Sequence, residues 1–149
     1  MPEFLETMVD KFTFKVAPDR LYNAEGLWAK LEGNLVRIGL SDFLQQRSGD
    51  VAFAEVKPVG TQVAFGDEIA AIETIKVNIS LTSPVTGRVV EVNPAMTTAP
   101  EAINQDPFGA GWLAVVEAAD WETDKASLLD PQVYFAKMKL EAEQEVKKQ

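Results

Sequence analysis

The alternation around Lys76 constrains this chain more than any other feature. Residues 68–75 carry Ile69, Ile72 and Ile75, and residues 77–81 alternate Val77, Ile79 and Leu81 with Asn78 and Ser80. Alternation of this kind, rich in β-branched residues, marks half-buried strands. Turn signals bound the pair, Gly66-Asp67 on one side and Pro84 with Thr86-Gly87 on the other. Two such strands meeting at Lys76 make a hairpin with the lysine at its tip, pointing into water. A side chain at a hairpin tip can enter another protein's active site without disturbing a core. A single lysine is ordinarily a solvated surface charge, so the interest lies in where this one stands.

The rest of the composition narrows what such a presented lysine can do. The chain has no Cys and no His. It therefore lacks a disulfide framework, a thiol nucleophile, the commonest general base and the commonest metal ligands. No catalytic residue and no metal ligand is assigned, and an enzyme acting alone is not expected. Twenty-three acidic against 14 basic residues give a net charge of −9, which argues against nucleic acid and against an anionic membrane as partners. The segment Met1-Pro2-Glu3-Phe4-Leu5-Glu6 is acidic and has no long apolar run. It predicts neither a signal peptide nor a membrane span, hence a cytoplasmic protein. A 149-residue chain that is 46% hydrophobic can bury a core of its own and is read as one domain, 1–149.

Along the chain, residues 1–10 are expected to add a turn of helix. Phe12, Phe14 and Val16 alternate as a strand that Pro18 ends. Trp28, Ala29 and Leu31 lie on a strand that returns through Glu32-Gly33-Asn34 into 35–40; Gly33-Asn34 suits a tight hairpin needing positive φ. Ser41-Asp42 caps a short helix through Gln46 that ends near Gly49. Strands are expected at 51–56, 87–92 and 112–116, a loop between Pro94 and Pro100, and a short helix from Pro100 to Asn104. Gly66 and Gly87 are expected at turn positions whose backbone angles other residues resist. From Thr123 the pattern turns helical, with Leu128, Leu129, Tyr134, Met138 and Leu140 as apolar positions and Asp130-Pro131 restarting the helix. The charged tail 141–149 is expected to be frayed or solvated. The segments 59–63 and 85–89 look like equivalent halves of an imperfect repeat.

The lysine hairpin resembles the lipoyl-attachment hairpin of biotinyl/lipoyl domains. The features that carry the resemblance are the Gly66-Asp67 turn, Glu73-Thr74-Ile75-Lys76, and a second strand entering Ser83-Pro84-Val85-Thr86-Gly87. Biotin carriers place Met on both sides of the lysine, whereas here the neighbours are Ile75 and Val77. The wider chain resembles the H proteins of the glycine cleavage system. It shares Tyr22, Glu25 and Trp28, Ile38-Gly39-Leu40-Ser41-Asp42, Val89-Val90-Glu91-Val92-Asn93, Asn104-Gln105-Asp106-Pro107 and Gly109, Gly111 and Trp112. Trp28 and Trp112 on their own would be plain core aromatics; it is the ordered combination that is specific.

The resemblance implies a mostly β (α+β) fold, a lipoyl/biotinyl-like hybrid barrel-sandwich of two antiparallel sheets with short helices and a C-terminal helix. Residues 1–20 would be an N-terminal extension and 123–149 the C-terminal helical segment. It implies lipoate as the cofactor, bound as an amide on Lys76, with Glu73 as a possible recognition residue for the lipoate-attaching enzyme, ligase or transferase. The chain would then be a carrier that shuttles an intermediate between enzymes on a swinging arm, which raises the local concentration of the arm at each partner. In glycine cleavage that intermediate is an aminomethyl group, and the partners are glycine decarboxylase, aminomethyltransferase and dihydrolipoyl dehydrogenase.

The chain also departs from the H-protein pattern. Gly26-Leu27 stands where the family has His-Glu, Val77-Asn78 replaces small residues after the lysine, and about twenty residues precede the match. These changes are expected to alter surfaces that face partners, including a patch beside Trp28. They resemble the lipoate-binding proteins of the sulfur-oxidising, heterodisulfide-reductase-like system. A carrier serving that complex is the preferred reading. Glycine cleavage is the alternative, and an unmodified interaction module of the same fold is a third.

Overall fold

The computed structural model describes residues 3–147. In chain order, β1 (Leu5–Val9), β2 (Phe12–Val16), β3 (Leu21–Tyr22), β4 (Leu27–Glu32) and β5 (Leu35–Leu40) precede helix α1 (Asp42–Ser48). Five strands follow: β6 (Val51–Val56), β7 (Gln62–Val63), β8 (Glu68–Thr74), β9 (Asn78–Thr82) and β10 (Gly87–Val92). Next come α2 (Ala95–Thr98), α3 (Ala102–Gln105), β11 (Ala114–Ala118), α4 (Trp121–Ala126) and α5 (Pro131–Lys147). Among the described residues the strands form a six-stranded sheet ordered β3-β4-β5-β11-β10-β7, a three-stranded sheet β6-β8-β9 and the separate hairpin β1-β2. All pairings are antiparallel. The two larger sheets enclose one core, the hybrid barrel-sandwich read from the sequence, and the hairpin is an addition to it. The two halves of the imperfect repeat face each other, with Gly87 opposite Val63 and Arg88 opposite Gln62.

β4 is shared between two cores because its side chains alternate. Leu27 and Ala29 point into the sandwich with Val36, Ile38, Ile69, Ile72 and Leu81. Trp28 points the other way, into a second cluster with Val9, Phe14, Tyr22, Phe43, Tyr134 and Met138. Across the sheet Trp28 pairs with Gly39, and a Cβ there would sit 2.5 Å from the indole. The absence of a side chain at Gly39 lets the ring lie flat on the strand. The indole Nε1 donates to the Pro107 carbonyl at 2.9 Å. Trp28 is thus a core residue, while Trp112 is half-buried beneath the Arg37 guanidinium, 4.5 Å from its ring.

Helix α5 covers the second cluster with Tyr134, Met138 and Ala142, spaced four residues apart on one face. Asp130 caps it, its carboxylate accepting from Val133 N at 2.8 Å. Tyr134 stacks on Tyr22 with ring centres 4.4 Å apart, and its hydroxyl meets Ser41 Oγ at 2.8 Å. Burial pushes both phenols far above their usual range, so the stacked pair remains neutral across ordinary pH.

Several expectations are corrected. The described part of segment 1–10 is the strand β1, not a turn of helix: Leu5, Thr7 and Val9 face inward, Glu6 and Met8 outward, and pairing with β2 satisfies its backbone. The Pro94–Pro100 stretch contains a helical turn, α2, because the Asn93 side chain accepts from Ala95 N at 3.0 Å and Met96 is buried. β11 starts two residues later than expected. Leu140 is 61% exposed and lies off the buried stripe of α5. Of the two expectations for the tail, its described part is solvated apart from Ala142 but is not frayed, since α5 runs to Lys147; Lys148 and Gln149, like Met1 and Pro2, lie outside the described residues.

Gly66 has the positive φ expected of it, +92°, but Gly87 does not and is required for a different reason. A Cβ at Gly87 would collide with the Glu117 carbonyl oxygen of the neighbouring strand. Gly87→Ala is therefore expected to lower the unfolding free energy by about 1–3 kcal/mol, measured as a lower denaturation midpoint at unchanged slope. An unchanged midpoint would mean that β10 and β11 separate there without cost.

Candidate functional site

Lys76 stands where the sequence puts it, exposed at the tip between β8 and β9. Glu73 and Asn78 form the last cross-strand pair, and the turn closes through Thr74 N donating to the Val77 carbonyl at 2.8 Å. The buried Thr74 hydroxyl organises this turn. It accepts from Lys76 N at 3.2 Å and Val77 N at 3.0 Å, and donates to the Ser48 carbonyl at the end of α1 at 2.7 Å. The hairpin tip is thereby fastened to α1.

The lysine side chain itself lies along that helix end. Its Nζ donates to the Arg47 carbonyl at 3.3 Å. Its stem crosses Gly49, where a Cβ would stand 3.1 Å from Lys76 Cδ; Gly49 is also the helix C-cap, at φ +91°. A cation at a helix C-terminus is favourably placed against the helix dipole.

The surroundings of Lys76 are apolar at the tip and charged behind it. Ile75 is 88% exposed, and Val77 and Phe53 are also open to solvent. Glu73 is exposed on β8, paired with Phe53 on one side and Asn78 on the other. Behind the lysine a cleft of about 660 Å³ is lined by Glu25, Arg47, Lys76, Ile79, Glu141 and Glu145 among others. Arg47 is paired with Glu145 at 2.7 Å. Glu25 accepts from the Thr82 hydroxyl. Among the described residues no cluster of acidic residues has the arrangement of a metal site, and no helix is long and apolar enough to cross a membrane.

The altered pair beside Trp28 is not a surface patch. Leu27 is wholly buried in the sandwich core. Gly26 is buried at φ +101°, with Tyr134 Oη, Ser41 Oγ and Leu44 within 3.3 Å of where a Cβ would be. The room a side chain would need at that position is filled by α5. Sequence reasoning missed Thr74, Gly49, Arg47 and Glu145. The Ser-Gly ending of α1 signals a helix stop, but nothing local says that a threonine 26 residues further on completes it.

This arrangement defines a barrel-sandwich with Lys76 exposed at the tip of a hairpin that is fastened to α1. The sequence profile described as "Glycine cleavage H-protein" matches residues 20–141. A glycine cleavage system H protein of Carboxydothermus hydrogenoformans is 38% identical over 86% of this chain and 98% of that protein. One from Coprothermobacter proteolyticus is 42% identical over 71% and 84%, respectively. A crystal structure of a glycine cleavage system H protein from Mycobacterium marinum superposes with a TM-score of 0.66 at 33% identity, covering 70% of this chain and 87% of that one. The chain belongs to the glycine cleavage H-protein family, a family of lipoyl carriers.

Thr74→Val keeps the shape and removes the hydroxyl. It is expected to cost about 1–3 kcal/mol, because two amide donors and the Ser48 carbonyl lose a partner. Amide exchange at Lys76 and Val77 should quicken. Exchange at the wild-type rate would show that the hydroxyl does not hold the turn.

Proposed function

We propose that Lys76 carries lipoate as an amide and that the chain serves as the mobile carrier between enzymes that load and unload the arm. The observation that carries this reading is Lys76, exposed at the tip of the β8–β9 hairpin that Thr74 fixes to α1, in a chain of the H-protein family. The residues fit the group: a primary amine in the open, an apolar collar of Ile75, Val77 and Phe53, and clefts beside the stem able to receive an acyl chain. When bound, the lipoyl group supplies a dithiolane that opens to hold a transferred group. Lys76 supplies the attachment point and reach, and Glu73 is part of the surface the lipoate-attaching enzyme reads.

For the pathway, the preferred reading remains sulfur oxidation with a heterodisulfide-reductase-like complex, in the cytoplasm. It is supported by the surface beside the lysine. Val9, Phe12, Phe14, Glu145 and Val146 border Lys76, and all five lie outside the 20–141 family match. Partners of this carrier would therefore meet Phe12, Glu145 and Val146, the members of this set that reach the surface, beside the lysine. Glycine decarboxylase, aminomethyltransferase and dihydrolipoyl dehydrogenase form the alternative partner set. It is favoured by the names of the relatives quoted above.

Lys76→Arg keeps the charge and removes the acylatable amine. Incorporation of labelled lipoate by a lipoate-attaching enzyme is expected to vanish with the fold intact; incorporation at the wild-type level would assign the cofactor elsewhere. With this protein as sole carrier, glycine–bicarbonate exchange by glycine decarboxylase is expected at less than about a tenth of the rate with an authentic H protein, the loss that about 1.4 kcal/mol of mismatched contact produces. Equal exchange would return the chain to glycine cleavage and leave Lys76 untouched.

A further inference from the structure

The segment Asn104-Gln105-Asp106-Pro107 reaches the same end of α1 as the lysine turn, from a different part of the chain. The Asn104 side chain, carried on α3, fills the junction between α1 and β6. Its Oδ1 accepts from Val51 N at 2.9 Å, and its Nδ2 donates to the Gly49 carbonyl at 3.0 Å and to Gln45 Oε1 at 3.1 Å. Gln45 is itself oriented by its Nε2, which donates to Asp42 at 2.9 Å. The junction needs an acceptor and two donors on one short stem, and asparagine is the side chain of that length that carries both. The platform beneath Asn104 is firm. Its neighbour Ile103 is wholly buried in the sandwich core. The Asp106 carbonyl accepts from Gly109 N and Gly111 N, and its carboxylate accepts from Ala110 N at 2.9 Å. The Pro107 carbonyl holds the Trp28 indole.

We infer that Asn104 is a positioning residue for lipoate attachment: it fixes the loop between α1 and β6 on which Thr74 sets the direction of Lys76. The inference rests on the carrier reading above. Two routes lead from Asn104 to Thr74. Through Gln45 and Gly49 it holds the end of α1, where the Ser48 carbonyl accepts from the Thr74 hydroxyl at 2.7 Å. Through Val51 it holds the start of β6, and Val51 is the cross-strand partner of Thr74. The same loop carries Gly49, against which the lysine stem rests. A shift at Gly49 and Val51 therefore moves the anchor of the hydroxyl and the strand partner of Thr74 together, and the lysine turn with them. In the attachment step the neutral Lys76 amine forms a bond to the acyl carbon of an acyl adenylate, the carbon–oxygen bond to the adenylate breaks, and adenylate and one proton leave. Such an attack needs the reacting atoms about 3–3.5 Å apart, and a misplacement of about 1 Å can cost about a hundredfold in rate. Binding of the attaching enzyme draws on surface groups such as Glu73 that Asn104 does not touch, so the loss falls on turnover.

The test compares Asn104→Asp and Asn104→Ala in the full chain. The first keeps the shape but turns a carboxylate oxygen toward the Gly49 carbonyl and Gln45 Oε1; the second removes the bonds without adding charge. Each unmodified protein is varied as the substrate of a lipoate ligase supplied with lipoate and ATP, and peptide mass spectrometry reads the modified residue. At a temperature where circular dichroism shows the fold retained, both variants are expected to lower kcat about tenfold with KM within about twofold of wild type. In the unmodified protein, amide exchange at Lys76 and Val77 is expected to quicken about tenfold. Adding Asn104→Asp to Thr74→Val should lower kcat by less than about a further twofold, because the two act through one anchor. Val63→Ala, a core truncation on β7, should keep the wild-type kcat. Wild-type kcat in both variants, a loss confined to KM, exchange that quickens at Gly49 and Val51 alone, losses that multiply with Thr74→Val, or an equal loss in Val63→Ala each overturn this inference and leave the carrier reading standing. Failure of both variants to fold does the same, since it assigns Asn104 to the fold. An unmodified Lys76 in the wild-type protein overturns the carrier reading and this inference with it.

Discussion

The carbonyls at the C-terminal end of α1 need donors, and the lysine hairpin supplies them. A helix leaves its last carbonyls without partners inside the helix. In a seven-residue helix buried on both flanks, those groups must be satisfied by something brought from elsewhere in the fold. Gly49 N turns back to the Gln45 carbonyl, Thr74 Oγ1 donates to Ser48, and Lys76 Nζ donates to Arg47. The hairpin that carries the candidate attachment site is thus a structural partner of α1 and not a free loop. Ser41, at the other end of the helix, caps Leu44 N and meets the Tyr134 hydroxyl. Asp42 accepts from Lys15 N, and Gln46 donates to the Thr13 carbonyl. One short helix therefore joins the N-terminal hairpin, the C-terminal helix and the lysine turn.

This linkage explains how the segments outside the 20–141 match come to lie at the lysine. β2 attaches to α1 through Lys15 N, which donates to Asp42, and the Thr13 carbonyl, which accepts from Gln46; Phe14 packs on Phe43, and β1 follows through its pairing with β2. α5 reaches the site because its stripe of Tyr134, Met138 and Ala142 follows the second cluster toward Arg47, where Glu145 completes the contact. Gly26 belongs to the same arrangement. With Tyr134 Oη within 3.0 Å of where its Cβ would be, a side chain there would push α5 away. Gly26 is thus a packing residue that lets the first turns of α5 approach β4 and Ser41.

What could be read from the sequence follows the range of the interactions involved. The β8–β9 hairpin, the β4–β5 turn at Gly33 and the Ser41 cap rest on neighbours within a few residues, and they are legible in composition and periodicity. β1 was hidden because Leu5, Thr7 and Val9 alternate too weakly to compete with helix formers such as Glu6 and Met8; its partner strand decides the matter. The extent of α5 was legible from the Asp130-Pro131 start, but which residues it buries was less so, because its outer face is charged and only one residue in four is buried. Gly87 was assigned to the wrong cause, since a close approach of strands adjacent in space but distant in sequence looks, in one dimension, like a turn glycine. The lysine's position was legible, but the setting that holds it was not. Thr74 and Lys76 meet Ser48, Arg47 and Gly49 across more than 25 residues, without a local pattern.

The tie between Lys76 and α1 also bears on how an acylated lysine would behave. The ammonium gains from the Arg47 carbonyl both a charge-assisted hydrogen bond and the attraction of the helix C-terminus. An amide nitrogen keeps one N–H, so the same carbonyl can still be satisfied, but the charge is gone. A neutral hydrogen bond is roughly half as strong as a charge-assisted one, and the dipole term disappears with the charge. Acylation would therefore loosen the stem without leaving the helix end unpaired, because Thr74 continues to anchor the backbone of the turn. The division would suit a carrier: the hydroxyl of Thr74 would fix where an arm on Lys76 begins, and the loss of one positive charge would set how freely it leaves the surface.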